Sequence, residues 1–410
     1  MPRDITYKEY KKSNDIHGTV LYPAVMVAPV QKDILSDVLD TSIQLKVFDP
    51  FHGSGTALYE AAELSNNIHL YGCDINPLAN LITRVKLQGV SDNIESNIAF
   101  IKDILSKNYH YDIHTFPNIH KWFRQDIIDD LSKLREAIIQ IANKNDRLFL
   151  WYMIIDIVRK YSNTRSSTYK LHMKKQTDIN NIRNNLIADY ITSLDKNYYR
   201  FQKNYDNFTL LKCDTLAYLN NIGDNEFDIC ITSPPYGDNA TTVTYGQFSM
   251  LPLYWIDMKD LVLEGWEFNN YSIIDSKSLG GPFQILGNMN ICFPELSPYL
   301  QAISPKKHKK VLRFFSGYFE FLDQISRVTG SFIIMTLGNR TVDGVKINLT
   351  ELTLKRLASK GFTEIEVSKR DILSKRMPKK VSNVKNRPVS SMNEEYVIVM
   401  KKTVTSKSVF

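Results

Sequence analysis

Residues Ser233-Pro234-Pro235-Tyr236 end a run, Glu226 to Tyr236 (EFDICITSPPY), that otherwise reads as a strand. Neither proline carries an N–H, and each fixes its own φ, so the pair stops the strand rigidly. In an open α/β sheet that edge is where ligands bind. A turn fixed there holds the Pro234 carbonyl and the Ser233 hydroxyl as two acceptors for an –NH2 group. Tyr236 then offers a flat face on which a planar base can stack. The plainer reading is a strand-ending turn with a core tyrosine.

A second constellation lies upstream. Asp49 to Thr56 reads DPFHGSGT, between a strand and a helix. Gly53 and Gly55 let the backbone approach a ligand and free N–H groups at a helix start. Asp74 follows about 20 residues later at the next strand end, the spacing of a carboxylate that binds a ribose. The dinucleotide fingerprint needs a third glycine where this chain has Leu58, and an acid precedes the glycines. A buried Asp49 suits a cationic amine better than a pyrophosphate. S-adenosylmethionine carries such an amine. The plainer reading is a structural strand–helix turn.

The elements that must position these residues follow from the hydrophobic pattern. Leu45–Leu64 and His69–Leu87 each read strand then helix, which argues for a parallel sheet with helices outside. From about Ser91 to Asn204 helical periodicity takes over, most clearly in Lys121–Ala142. Strand patterns return at Phe208–Asp214 and Glu226–Tyr236. A loop-rich stretch follows, then a helix from Lys309 to Val328, a strand at Ser331–Asn339, another helix and the strand Glu394–Lys402. The expected organisation is a catalytic unit in two parts, 1–90 and 205–410. A helical insertion at 91–204 separates them, and a loop-rich insertion sits at 259–310.

Composition bounds the rest. The 410 residues are 43% hydrophobic and 23% charged, as in ordinary soluble globular chains. A net charge of +7 suits a polyanionic partner such as nucleic acid. The cysteines Cys73, Cys213, Cys230 and Cys292 form no C-x-x-C pair, so neither a zinc site nor a disulfide framework is expected. The first three sit in apolar runs as small buried hydrophobes. With no apolar leader at the start and no membrane-length apolar run, a cytoplasmic location is expected.

Taken together, these motifs resemble those of the amino-group DNA methyltransferases. DPFHGSGT is similar to that family's S-adenosylmethionine motif, and YGCDINPLA (Tyr71–Ala79) to its ribose-binding motif. CDTLAYL (Cys213–Leu219) resembles the acidic strand end beside the adenine, and TSPPY the catalytic motif. HGTVLYPAVMVAPVQKDIL (His17–Leu35), VTYGQFSMLPLYWI (Val243–Ile256), TLGNRTVDGVKI (Thr336–Ile347), KRMP (Lys375–Pro378) and EEYVIVMKK resemble flanking segments. The resemblance is weakest over 91–204 and 259–310.

The resemblance implies a Rossmann-like class I methyltransferase fold with a mostly parallel seven-stranded sheet. It implies S-adenosylmethionine held by Tyr22, Pro23, Asp49, Phe51, Gly53, Ser54, Gly55, Thr56, Asp74, Ile75, Asn76 and Asp214. It implies catalysis by Ser233, Pro234, Pro235 and Tyr236 on an amine of double-stranded DNA, with the target base flipped out and no metal. A serine before the prolines is the form associated with cytosine N4; Asp or Asn is commoner for adenine N6. A cysteine nucleophile for ring-carbon attack would need a Pro-Cys pair, which this chain lacks. The motif order, cofactor first, is the reverse of many serine-form enzymes.

For reading DNA, Arg159–Lys175 (RKYSNTRSSTYKLHMKK) carries residue types that contact phosphates and base edges, with Asn163, Arg165, Tyr169 and Lys170 as candidates. The basic PKKHKK, Pro305–Lys310, is a second candidate for phosphates. A solvated basic loop is the alternative at each. Guanine-N2 methyltransferases of tRNA share a glycine turn and Pro-Pro-Tyr. They carry Asn or Asp before the prolines and an upstream RNA-binding domain. Here about 45 residues precede the first strand, short of a domain. Methylation of adenine N6 in DNA is another alternative, and a third is a degenerate fold that only binds DNA. A cognate restriction endonuclease and the oligomeric state are left open.

Overall fold

Side-chain alternation sorts the central strands between two cores. In β1 (Leu45–Asp49), Val47 enters one core and Phe48 the other. β2 spans Ile68–Cys73, β3 Phe208–Leu211, β4 Phe227–Thr232 and β5 Thr329–Leu337. In β4, Ile229 and Ile231 face the first core and Cys230 the second. β6 (Phe362–Asp371) and β7 (Glu394–Lys402) complete the sheet. The computed structural model describes the chain except residues 1–4, 108, 238–242, 262–270, 272, 282–292, 373–379, 385–386, 391–393 and 404–410. Cys292, the KRMP segment and the last seven residues therefore lie outside the described residues.

The sheet order is β3-β2-β1-β4-β5-β7-β6. The first five strands run parallel, while β7 is antiparallel to both β5 and β6. This is the expected Rossmann-like class I methyltransferase architecture. Strand order reverses between β1 and β4, which opens a crevice at their carboxyl ends. Asp49 ends β1 and Ser233 follows β4, so both sequence motifs arrive at that crevice.

Helices α1 (Ala28–Val38), α2 (Thr56–Leu64) and α3 (Pro77–Gln88) cover one face of the sheet. α3 starts where Asn76 caps it, its Oδ1 accepting from Leu78 N at 3.0 Å, with Pro77 in the first turn. The helices Ile94–Ser106, Gln125–Ile139, Lys144–Tyr161 and Leu186–Asn197 bury their apolar sides in that same core. The helix Lys144–Tyr161 is buried nearly all round, as a central helix must be. Its Arg147 pairs with Asp260 at 2.7 Å, and Trp151 Nε1 donates to the same carboxylate at 2.7 Å. The 91–204 segment thus shares its core with the cofactor-side helices.

The opposite face is covered by the helices Pro305–Val328 and Leu349–Ser359. The first begins four residues before the sequence pattern suggested, because Pro305 fits a first turn where no N–H is required. β6 was not expected from the hydrophobic pattern. It is an edge strand with only two of its ten residues buried, so it lacks a hydrophobic stripe.

Candidate active site

A cleft of about 870 Å³ opens at the crevice between β1 and β4. Of the nominated residues, Tyr22, Pro23, Phe51, Gly53, Ser54, Thr56, Asp74, Ile75, Asn76, Asp214, Ser233 and Pro235 line it. Asp49, Gly55, Pro234 and Tyr236 are not among its lining residues.

The glycine turn is held from several sides. Asp74 Oδ2 accepts from Gly53 N at 3.0 Å and its Oδ1 from Asn76 N at 2.8 Å. Thr83 Oγ1 donates to the Gly53 carbonyl at 3.1 Å. Gly55 has φ +70°, and a Cβ there would lie 2.5 Å from Thr83 Cγ2, so only glycine fits. His52 is buried against Thr83, and burial lowers its pKa, which keeps the imidazole neutral. Lys86, 2% exposed, donates to the Ser54 carbonyl at 2.7 Å. Behind it, His17 lies 3.2 Å from Lys86 Nζ and 2.9 Å from Glu60 Oε1. Burial pushes Lys86 down to about 7 and Glu60 up to about 7.

Asp49 joins the two motifs. Its Oδ1 accepts from Thr232 Oγ1 at 2.7 Å, on the strand leading to Ser233, and from Phe51 N at 3.1 Å. The residue is fully buried, and burial raises its carboxyl to about 7. Its Oδ2 is buried with no hydrogen-bond partner among the described residues, and so is Thr56 Oγ1. Orphaned buried polar atoms are costly and call for a partner. Thr56 lines the cleft with the Asp74 and Asp214 carboxylates, a donor and acceptor set that fits an amine and ribose hydroxyls, and the Asp49 carboxyl lies buried behind that wall. That chemistry matches S-adenosylmethionine. Asp214 also caps the helix Thr215–Leu219, its Oδ1 accepting from Ala217 N at 2.9 Å.

Tyr22 and Asn76 brace the cleft from the other side. Asn76 Nδ2 donates to Tyr22 OH at 3.1 Å and to Ser249 Oγ at 2.8 Å, in the helix Tyr245–Trp255.

The Ser233–Tyr236 stretch divides between two spaces. Ser233 and Pro235 face the cleft, and Pro234 is buried. Tyr236 lines a neighbouring cavity of about 240 Å³ with Phe314, Phe315 and Arg340. Its hydroxyl lies 3.0 Å from Ser233 Oγ, so the two side chains meet between cleft and cavity. Burial pushes the Tyr236 phenol well up, which keeps it protonated.

The four DNA candidates separate. Arg165 and Lys170 are exposed. Tyr169 is half-buried against Phe248, with ring centroids 5.8 Å apart, beside the helix that carries Tyr245. Asn163 is 5% exposed, and its amide donates to the Lys121 carbonyl at 3.1 Å, turning it inward.

Several lining residues were not nominated from sequence. Tyr245 starts the helix after the catalytic turn, and an aromatic one helix start beyond Ser-Pro-Pro-Tyr was a usable signal. Ile274, Ser278 and Leu279 come from the 259–310 stretch, whose pattern gave no sign that it walls the cleft. Among the described residues no group of His, Cys, Asp or Glu could hold a metal ion, and no helix is long and apolar enough to cross a membrane.

This sheet order and crevice define the class, a Rossmann-like methyltransferase architecture. No family model matches the chain. It is similar to the type II methyltransferase M.MvaI of Kocuria varians, 28% identical over 432 aligned residues, which span 96% of this chain and 92% of the relative. That likeness supports a methyltransferase, and with it the use of S-adenosylmethionine.

Proposed function

We propose that the chain is a site-specific DNA methyltransferase that modifies the N4 amine of cytosine in duplex DNA, within a restriction–modification context. The observation that carries this reading is the meeting of Ser233 with the glycine turn in one cleft. The relative is named a type II methyltransferase, which agrees with it. S-adenosylmethionine supplies an electrophilic methyl group when bound. Asp49, Thr56, Asp74 and Asp214 would hold it.

An exocyclic amine is a poor nucleophile because its lone pair is conjugated into the ring. The Ser233 hydroxyl and the Pro234 carbonyl accept its N–H groups and favour a pyramidal nitrogen. The lone pair would then be free to take up the methyl group that S-adenosylmethionine supplies, the sulfur keeping the pair of the broken S–C bond and the methylated nitrogen losing a proton to solvent. Positioning and fixed dipoles supply most of the acceleration. Tyr236 stacks on the flipped base from the adjoining cavity, and its hydroxyl orients Ser233. A base inside a duplex cannot reach this depth, so the target is extruded. The serine favours cytosine over adenine. Arg165, Tyr169 and Lys170 contact the duplex beside the cleft.

Incubation with methyl-labelled S-adenosylmethionine and unmethylated duplex DNA tests the reading. Label in the DNA is expected. Label in tRNA alone would overturn it.

A further inference from the structure

The sequence places Lys306, Lys307, His308, Lys309 and Lys310 in the first two turns of the helix Pro305–Val328, with no acidic residue in the first turn. Positive charge at a helix N-terminus opposes the macrodipole and destabilises the helix. Lys306, Lys307 and Lys309 are exposed, and of the three Lys307 acts on the Asp343 carboxylate. The nearby Asp343 carboxylate already accepts from Ser304 N at 3.1 Å and Ser304 Oγ at 2.6 Å. One turn further on, Arg313 Nε is buried with no hydrogen-bond partner among the described residues. The Asp343 carboxylate, held low by Ser304 and by the charge of Lys307, balances only part of this concentration of charge.

Its place accounts for the rest. The helix runs directly into β5, so its N-terminus returns to the carboxyl edge of the parallel strands. The Ser304–Asp343 bonds fix it there, since Asp343 belongs to the turn that follows β5. Val311, Phe314 and Phe315 on the same helix line the cavity that Tyr236 faces. The lysines therefore stand at the rim of the space beside the catalytic turn.

We propose that this basic helix start grips the phosphate backbone of duplex DNA next to the flipped base. The inference rests on the DNA-methyltransferase reading above and adds a second DNA-facing surface to the 159–175 loop. The flexible lysine heads neutralise phosphates without reading bases, so the grip is independent of sequence.

The test is a triple variant, Lys306→Gln, Lys307→Gln and Lys309→Gln, titrated with duplex DNA over a range of salt. The slope of log affinity against log salt should fall by about 0.9 for each phosphate no longer neutralised, up to about 2.7 in all. Affinity at low salt should drop at least tenfold on specific and random duplexes alike. The triple Lys→Arg variant should restore the slope. S-adenosylmethionine affinity should be unchanged, which shows that the variant is folded. An unchanged slope in a variant that still binds DNA would overturn the surface alone. A wild-type chain that binds no duplex would overturn the surface and the functional reading together.

Discussion

Asp49 makes a pH-dependent prediction about cofactor binding. The carboxyl is fully buried and sits at about 7, even though Thr232 and Phe51 both donate to it. A cationic amine bound in the cleft in front of this buried carboxyl would return it toward an ordinary value of about 3.9. A difference of about three pH units corresponds to about 4 kcal/mol between the two protonation states, as an upper bound. At pH 6 about nine-tenths of the free protein would carry this proton, and almost none of the complex would. Binding S-adenosylmethionine should therefore release about 0.9 proton at about pH 6. Affinity should weaken about fivefold from pH 7 to pH 6 and about 50-fold in all by pH 5, because acid protonates the carboxylate that the amine needs. Calorimetry in two buffers of different ionisation enthalpy measures the release directly. In Asp49→Asn the release should vanish and the pH profile should flatten. The same shift acts on stability. A folded carboxyl above its unfolded value binds extra protons, so the ligand-free fold loses stability as pH rises from about 4 through 7. Ligand-free Asp49→Asn should then be the more stable protein at pH 8. An affinity that is flat between about pH 5 and 7, or proton release retained in Asp49→Asn, would refute the reasoning.

Other predictions follow from single side chains. Thr232→Val removes a donor that favours the Asp49 carboxylate, so the pH at which cofactor affinity falls should move above that of the wild type, as read by the same titration. Ser233→Ala should lower turnover by about 2- to 12-fold, the worth of one neutral hydrogen bond of about 0.5–1.5 kcal/mol. Tyr236→Ala should lower turnover far more, while cofactor affinity persists because the ring lies outside the cleft. Tyr236→Phe, which keeps the ring and loses only the bond to Ser233, should behave like Ser233→Ala in the same rate assay. Lys86→Met leaves the Ser54 carbonyl without its donor, costing about 1–3 kcal/mol, read as a lower urea midpoint and weaker cofactor binding. Arg165→Ala should weaken DNA affinity in a filter or gel assay without changing cofactor affinity.

What could be read from the sequence was local. The Asp49–Thr56 turn, the Asp74 spacing and the proline-stopped strand each encode their conformation within a few residues, and β1, α2, β2 and α3 form there. The final strand, Glu394–Lys402, is written in its apolar run and has those bounds in the structure. The parts that stayed hidden depend on partners far along the chain. Lys86 reads as an ordinary helix lysine until the fold brings the Ser54 carbonyl, 32 residues away, to its ammonium. Asn163 looks like a polar loop residue until Lys121 is placed beneath it. β6 is held by its pairing with β7 rather than by its own hydrophobic pattern. Ile274, Ser278 and Leu279 wall the cleft from a segment with no regular periodicity. The resemblance pointed to both stretches, but which side of Ser233 the tyrosine occupies required the tertiary structure.

The central claim is the identity of the methylated atom. Duplex DNA treated with the protein and S-adenosylmethionine, digested to nucleosides and resolved by mass spectrometry with authentic standards, reports it directly. The account predicts N4-methylcytosine, lost in Tyr236→Ala. N6-methyladenine would contradict the assignment of cytosine, and unmodified DNA would contradict the account as a whole.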